Sequence, residues 1–294
     1  MIWLIGCKGM LGTEIALQLT ENKIDFTGTD IDVDITNPQA LAEFVKGKTI
    51  SYIINCSAYT AVDKAENDAE FAKKLNEDGP RNIANLANRI HAKMIHISTD
   101  YVFDGSGKVP YTEDMQIAPI GVYGKTKAAG ESAVKQNLHE YYIVRTAWLY
   151  GWAGKNFVYT MIKAMNTHGS VKVVNDQKGS PTFAGDLASI IIQIINKDNV
   201  PYGTYHCTDL GEITWWDFTN EIKRQGIEKG YITNKNCVVN PCSTDEYPTP
   251  AKRPAYSVLC KDKLQKALGI KLPEWKESLK KFMDSDLFDK NRIM

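Results

Sequence analysis

The chain has 294 residues, 43% hydrophobic and 24% charged, ordinary globular proportions that leave no case for disorder. Basic and acidic residues balance at 35 each, which removes the electropositive footprint of a nucleic-acid binder, so any bound nucleotide is a small molecule gripped locally. The longest apolar stretch, 187–195, is interrupted by Ser189 and Gln193 and is too short for a bilayer, so the expectation is a soluble, cytoplasmic protein with no membrane partner.

In chain order, apolar runs at 2–5, 26–29, 52–55, 94–98 and 142–146 predict short strands, the first of them reading as a strand rather than a leader. Helical periodicity fills the gaps at 11–20, 38–46, 63–89 and 122–136, with Asp78-Gly79-Pro80 expected to bend or break the third helix. Strands separated by helices imply right-handed βαβ crossovers. The expected fold class is therefore α/β, a Rossmann-type doubly wound parallel sheet with a smaller C-terminal α/β substrate lobe. Residues 1–150 are expected to form the dinucleotide-binding domain. Residues 151–294 are expected to be mainly the substrate lobe, with helices at 156–166, 184–196 and 215–225 and with about 171–196 packing back on the sheet. Ligands bind outside the carboxyl ends of the strands in such sheets. The six cysteines have no Cys-x-x-Cys pair or His partner at metal-ligand spacing, so neither a structural metal nor a disulfide framework is expected.

Gly6, Gly9 and Gly12 follow the first strand and open the first helix. They permit a tight turn whose helical N–H groups face an anion. The spacing has one residue more between the first two glycines than the G-x-G-x-x-G fingerprint, and no Gly-Lys-Ser/Thr follows as a nucleoside-triphosphate loop requires. Asp30 ends the second strand, where an acidic residue binds ribose hydroxyls and repels a 2′-phosphate, which favours NADH. Asp30 also reads as a solvated strand-end residue, and Lys8 leaves NADPH open.

Tyr-x-x-x-Lys is uninformative alone. With 14 tyrosines and 29 lysines the spacing arises by chance, and it occurs three times, at Tyr123/Lys127, Tyr159/Lys163 and Tyr231/Lys235. Only Tyr123 starts a helix behind a strand ending in Ser98-Thr99, and residues four apart share a helical face. Tyr159/Lys163 reads as an ordinary helical pair and Tyr231/Lys235 as a surface turn. Tyrosine, with an ordinary pKa of about 10, already carries at neutral pH the proton a ketone needs on becoming an alcohol, and a lysine cation stabilises the tyrosinate left behind. Thr99 would hydrogen-bond the carbonyl oxygen.

The assembled motifs resemble the extended short-chain dehydrogenase/reductases and, within them, the dTDP-4-dehydrorhamnose reductase family. They are Gly6-Cys7-Lys8-Gly9-Met10-Leu11-Gly12, Thr60-Ala61-Val62-Asp63-Lys64-Ala65-Glu66, Ser98-Thr99-Asp100-Tyr101-Val102-Phe103 and Val122-Tyr123-Gly124-Lys125-Thr126-Lys127. Arg145-Thr146-Ala147-Trp148, Asn175-Asp176-Gln177-x-Gly179-x-Pro181-Thr182 and Pro248-Thr249-Pro250-Ala251-x-Arg253-Pro254 extend the match over nearly the whole chain. The resemblance implies NAD(P)H-dependent reduction of the 4-keto group of dTDP-4-dehydro-β-L-rhamnose. It implies Thr99, Tyr123 and Lys127 as the catalytic trio. Gly9, Met10, Leu11, Asp30, Asp34, Ile35, Ala58, Tyr59 and Thr60 become cofactor contacts beside Gly6, Gly12, Tyr123 and Lys127. Asp100, Tyr101, Trp148 and Val62 fall on the sugar-nucleotide side with Thr99, and Arg253 is available to a phosphate. Trp148 and Tyr101 also read as packing residues, and Arg253 as the cap of a proline-rich loop. The resemblance admits a homodimer and a divalent metal such as Mg2+ at a subunit contact, but no ligand cluster in the sequence assigns one. Two competing readings are a non-catalytic dinucleotide-binding regulatory subunit and a reductase or epimerase of another nucleotide-deoxysugar.

Overall fold

The computed structural model describes residues 1–197 and 199–293. The first half runs β1 (Ile2–Ile5), α1 (Met10–Glu21), β2 (Phe26–Thr29), α2 (Pro38–Val45), β3 (Tyr52–Asn55), α3 (Val62–Ala65), α4 (Ala69–Lys73), α5 (Gly79–Arg89), β4 (Lys93–Thr99), α6 (Val122–Asn137) and β5 (Tyr141–Thr146). The second half runs β6 (Leu149–Tyr150), α7 (Phe157–Thr167), β7 (Ser170–Val174), β8 (Lys178–Gly179), β9 (Thr182–Phe183), α8 (Ala184–Asn196), β10 (Gly203–His206), β11 (Ile213–Thr214), α9 (Trp215–Glu228), β12 (Val238–Cys242), α10 (Asp262–Leu268) and α11 (Trp275–Asp284). Local chemistry explains several boundaries. Asn37 caps α2 by accepting from the Gln39 and Ala40 amides ahead of Pro38. Thr214 and Asp217 form a reciprocal capping box on α9.

Six strands form one parallel sheet in the order β2-β1-β3-β4-β5-β10. The order in which strands are added reverses between β1 and β3, which opens a crevice there. Ile2, Leu4, Ile54 and Ile95 face a core made with α1, α8 and α10. Trp3, Ile5, Ile53 and Met94 face the opposite core with α2, α5 and α6. A third cluster, including Tyr150, Phe183, Phe218, Trp275 and Phe282, fills the C-terminal lobe.

The sixth strand, β10, was not among the strands expected of the sheet. It lies beyond residue 150 and pairs with β5 from Gly203↔Tyr142 to His206↔Arg145. Gly203-Thr204-Tyr205-His206 is not an apolar run and does not announce a strand, and the β5 edge supplies the partner. Helix α8 packs along α1, whereas β7 pairs with β12. Among the described residues no helix is long and apolar enough to cross a membrane.

The helical pattern 63–89 breaks earlier than expected. Short α3 and α4 precede a π-turn, Lys74–Asp78, and Pro80 sits in the first turn of α5. Pro80 has no N–H for the Asn76 carbonyl four residues back. That carbonyl lies against Gly130 of α6, where a Cβ would stand 2.0 Å from the oxygen. The π-turn thus brings α5 and α6 together through a glycine. Tyr231, expected in a surface turn, stacks on Phe288 at 4.5 Å and donates to the Met283 carbonyl at 3.0 Å.

Candidate active site

A cleft of about 1060 Å³ opens at the carboxyl ends of β1, β3, β4 and β5. Its first wall is the glycine turn. Gly6 has φ +77°, and a Cβ there would stand 2.9 Å from the Ser57 amide nitrogen. A Cβ on Gly12 would stand 2.0 Å from the Gly6 carbonyl oxygen. Only glycine allows this turn to fold onto both the helix and the loop after β3. Gly9 caps α1 without a side-chain acceptor, so the first amides of α1 remain available to an anion. The cradle therefore fits a dinucleotide pyrophosphate.

At the second wall, the Asp30 carboxylate accepts from the Lys8 amide at 3.1 Å and the Ile31 amide at 3.0 Å. Asp34 and Ile35 line the cleft beside it. Ile31, 93% exposed, joins Val33, Phe71 and Leu75 around an apolar slot. Sequence reasoning missed this slot; its signal is Phe71 and Leu75, four apart in an otherwise charged stretch.

Ala58, Thr60 and Val62 form the floor. Asn76, buried and also missed, holds this loop by its backbone. It accepts from the Tyr59 amide at 2.8 Å and donates to the Tyr59 carbonyl at 3.1 Å and to Thr126 Oγ1 at 3.1 Å. Tyr59 is not in the cleft lining; its hydroxyl lies 3.5 Å from Asp68 and its ring is edge-on to Phe71, which is.

The third wall gathers Thr99, Tyr123 and Lys127. Thr99 ends β4 and Tyr123 opens α6, with Lys127 one turn on, so sheet and helix deliver them together. Burial raises the Tyr123 hydroxyl to about 12, partly offset by a hydrogen bond with Thr99. Burial lowers Lys127 to about 8, while Glu131 and Cys56 oppose that shift. Lys127 Nζ donates to the Ile97 carbonyl at 2.6 Å. Asp100, fully enclosed, is raised to about 6 by burial although the Thr99 hydroxyl donates to it at 2.9 Å. Tyr101 lies edge-on to Tyr123, ring centroids 5.4 Å apart, and also lines the cleft.

One rung behind Thr99, the buried Arg145 of β5 grips Glu131 of α6 through Nε at 2.8 Å and Nη2 at 2.7 Å. Ser98, paired with Arg145 across the sheet, donates to the same carboxylate at 2.7 Å. Arg145 Nη1 meets His206 of β10 at 3.3 Å. This charge cluster ties three strands to the helix bearing the catalytic pair, and spacing alone gave no sign of it.

Trp148 forms the far wall, with φ +47°, a left-handed conformation costing about 1–3 kcal/mol for a bulky residue. Arg253, expected near a phosphate, lies outside the cleft lining and pairs with Asp63 at 2.9 Å. Asp63 also accepts from the Ala251 amide at 3.2 Å, so the proline-rich loop is tied to α3.

The RmlD substrate binding domain family model matches residues 1–287. The chain belongs to the RmlD substrate binding domain family. Among curated relatives, the dTDP-4-dehydrorhamnose reductase of Escherichia coli is 38% identical, with 99% of each chain covered. A Streptomyces antibioticus protein named a probable dTDP-4,6-dihydroxy-2-methyloxan-3-one 4-ketoreductase is 40% identical over 95% of this chain and 94% of its own. Among solved structures, a Clostridium acetobutylicum dTDP-4-dehydrorhamnose reductase has TM-score 0.90 and 47% identity, covering 96% of this chain and 98% of its own. The Bacillus anthracis reductase, solved in complex with NADP, has TM-score 0.89 and 37% identity over 96% and 98%. These RmlD relatives are oxidoreductases by name, and this chain is an enzyme of that kind.

Proposed function

We propose that the chain reduces the 4-keto group of dTDP-4-dehydro-β-L-rhamnose to give dTDP-β-L-rhamnose, using NADH or NADPH. The observation that carries this reading is Thr99, Tyr123 and Lys127 converging on the cleft that begins at the glycine turn. Support comes from relatives named for that reaction and matched end to end.

The nicotinamide dinucleotide supplies the hydride when bound, with its pyrophosphate at Gly6, Gly9, Met10, Leu11 and Gly12. Asp30 holds the adenosine ribose, Asp34 and Ile35 flank the adenine, and Ala58 and Thr60 support the nicotinamide half through the loop that Asn76 fixes. Tyr59 contributes its backbone. Thr99 donates to the sugar carbonyl once its hydroxyl turns from Asp100, and Tyr123 gives its Oη proton to the C4 oxygen. Tyr123, raised to about 12, stays protonated at neutral pH and is suited to donate. Lys127, still largely cationic at pH 7, stabilises the tyrosinate that forms. Val62, Asp100, Tyr101 and Trp148 contact the sugar nucleotide. Arg253 reaches its diphosphate only by leaving Asp63, so it acts first as a tether of the loop. The two amides on Asp30 fix its carboxylate for a ribose diol, favouring NADH. Asp30→Ser should shift the kcat/KM ratio toward NADPH by about tenfold or more.

A second reading, reduction of a neighbouring dTDP-4-keto-deoxysugar, is favoured by the Streptomyces antibioticus 4-ketoreductase. Purified protein offered dTDP-4-dehydro-L-rhamnose with each dinucleotide, with the product identified, decides between them. Formation of dTDP-L-rhamnose is the expected result. Absence of turnover by folded, dinucleotide-binding protein overturns the assignment.

A further inference from the structure

Trp148 holds an indole on the cleft wall although its backbone lies in the left-handed region at φ +47°. Such a conformation in a bulky residue persists only where neighbours over-determine it. Three neighbours do so here. The Trp148 ring stacks on Trp215, centroids 3.6 Å apart and planes 11° apart. Gly179 lies so close that a Cβ there would stand 2.6 Å from Trp148 Cε2. Thr182 holds the backbone on both sides. Its hydroxyl donates to the Ala147 carbonyl at 2.6 Å, and its amide donates to the Trp148 carbonyl at 3.3 Å.

These contacts share one scaffold. Gly179 of β8 pairs with Ile213 of β11, and Trp215 begins α9 two residues later. Thr182 of β9 pairs with Leu149 directly after Trp148. Phe157 of α7 backs Trp215 at 4.5 Å. The C-terminal lobe thus projects a glycine, a threonine and a second indole onto one residue of the cleft.

We infer that Trp215, with Gly179 and Thr182, is a positioning set that holds the Trp148 indole as a pre-formed wall for the sugar of the nucleotide-sugar substrate. This rests on the reductase reading above. Trp215 lies outside the cleft lining and acts through Trp148. Fixing the wall before binding spares the substrate the cost of ordering it.

The test compares Trp215→Leu, Trp215→Phe, Trp148→Leu and the Trp148→Leu/Trp215→Leu double variant in the full chain. Two stacked indoles give an exciton couplet in far-ultraviolet circular dichroism, readable without substrate. Trp215→Leu should abolish the couplet and raise KM for dTDP-4-dehydro-L-rhamnose about tenfold, with kcat and dinucleotide affinity little changed. Trp215→Phe, which keeps a stacking ring, should restore most of the KM. The double variant should match Trp148→Leu in KM, because Trp215 is not itself part of the cleft lining. A lost couplet with unchanged KM overturns the inference while Trp148 keeps its place. Unchanged KM in Trp148→Leu removes Trp148 from the substrate wall and overturns it as well. Failure of the wild type to turn over sinks the reductase reading itself, and this inference with it.

Discussion

At the scale of single residues, two opposed shifts define the site. Burial moves the Tyr123 hydroxyl up to about 12 and Lys127 down to about 8. Reduction requires Tyr123 protonated and Lys127 charged, so it is the lysine that limits the alkaline side. The rate of ketone reduction should fall as pH rises through about 8, a limb that a pH profile of kcat would display; a flat profile to pH 10 contradicts it. Lys127→Met should lower kcat about 100-fold or more across the profile while the protein still binds dinucleotide, measured by fluorescence titration. Charged groups near Lys127 agree with this balance: Glu131 supports the cation, whereas the buried His96 is pushed well below its ordinary value by burial and by the lysine's charge.

At the scale of elements, the active site depends on how α6 is held. Glu131 and Arg145 lie almost wholly out of water, so removing one partner strands the other's charge. Glu131→Ala should cost about 3–5 kcal/mol in denaturant unfolding, whereas replacing the pair with apolar residues of similar volume should cost far less. Equal losses for both would refute the paired account. Gly130→Ala tests the α5–α6 approach. Alanine stabilises an ordinary helix by about 1 kcal/mol over glycine, but here its Cβ meets the Asn76 carbonyl. A loss of stability, read by thermal melting, is therefore expected, and a gain would contradict the close approach. The sequence carried the glycine turn, Thr99 and the Tyr123/Lys127 face because each is a local pattern of a strand end or a helical turn. It could not carry Asn76, the Arg145–Glu131–His206 rung or the Asp63–Arg253 tether. Their partners lie 14 to 190 residues apart, and only the sheet order brings them together. Tyr59, on the cofactor side by resemblance, lies edge-on to Phe71 of the cleft lining.

At the scale of the whole molecule, the two halves of the chain meet over a buried acidic seam. Asp186 of α8 and Lys281 of α11 both act on Glu14 of α1 and on Asp209 after β10. Burial raises Glu14 from 4.5 to about 7 and drives Asp209 well upward. A carboxyl raised by folding contributes stability that is full below its unfolded value and is lost as pH rises through its folded value. Between about pH 4.5 and 7 wild-type stability should therefore fall relative to Glu14→Gln, at up to about 1.4 kcal/mol per pH unit for the single proton. Parallel stability curves for the two proteins would refute a protonated Glu14. The α/β alternation was legible because each strand and helix of the first half has its own periodicity. The return of β10 to the sheet was less so, because Gly203–His206 is not an apolar run and gains its identity from the β5 edge. The cleft is lined by residues 5–149, with the second half of the chain bracing Trp148 from behind, and its chemistry rests on one proton. Steady-state reduction of dTDP-4-dehydro-L-rhamnose by wild type and Tyr123→Phe tests that most directly. The account predicts a kcat loss of about 100-fold or more with dinucleotide binding unchanged. A Tyr123→Phe protein that turns over at the wild-type rate would contradict it.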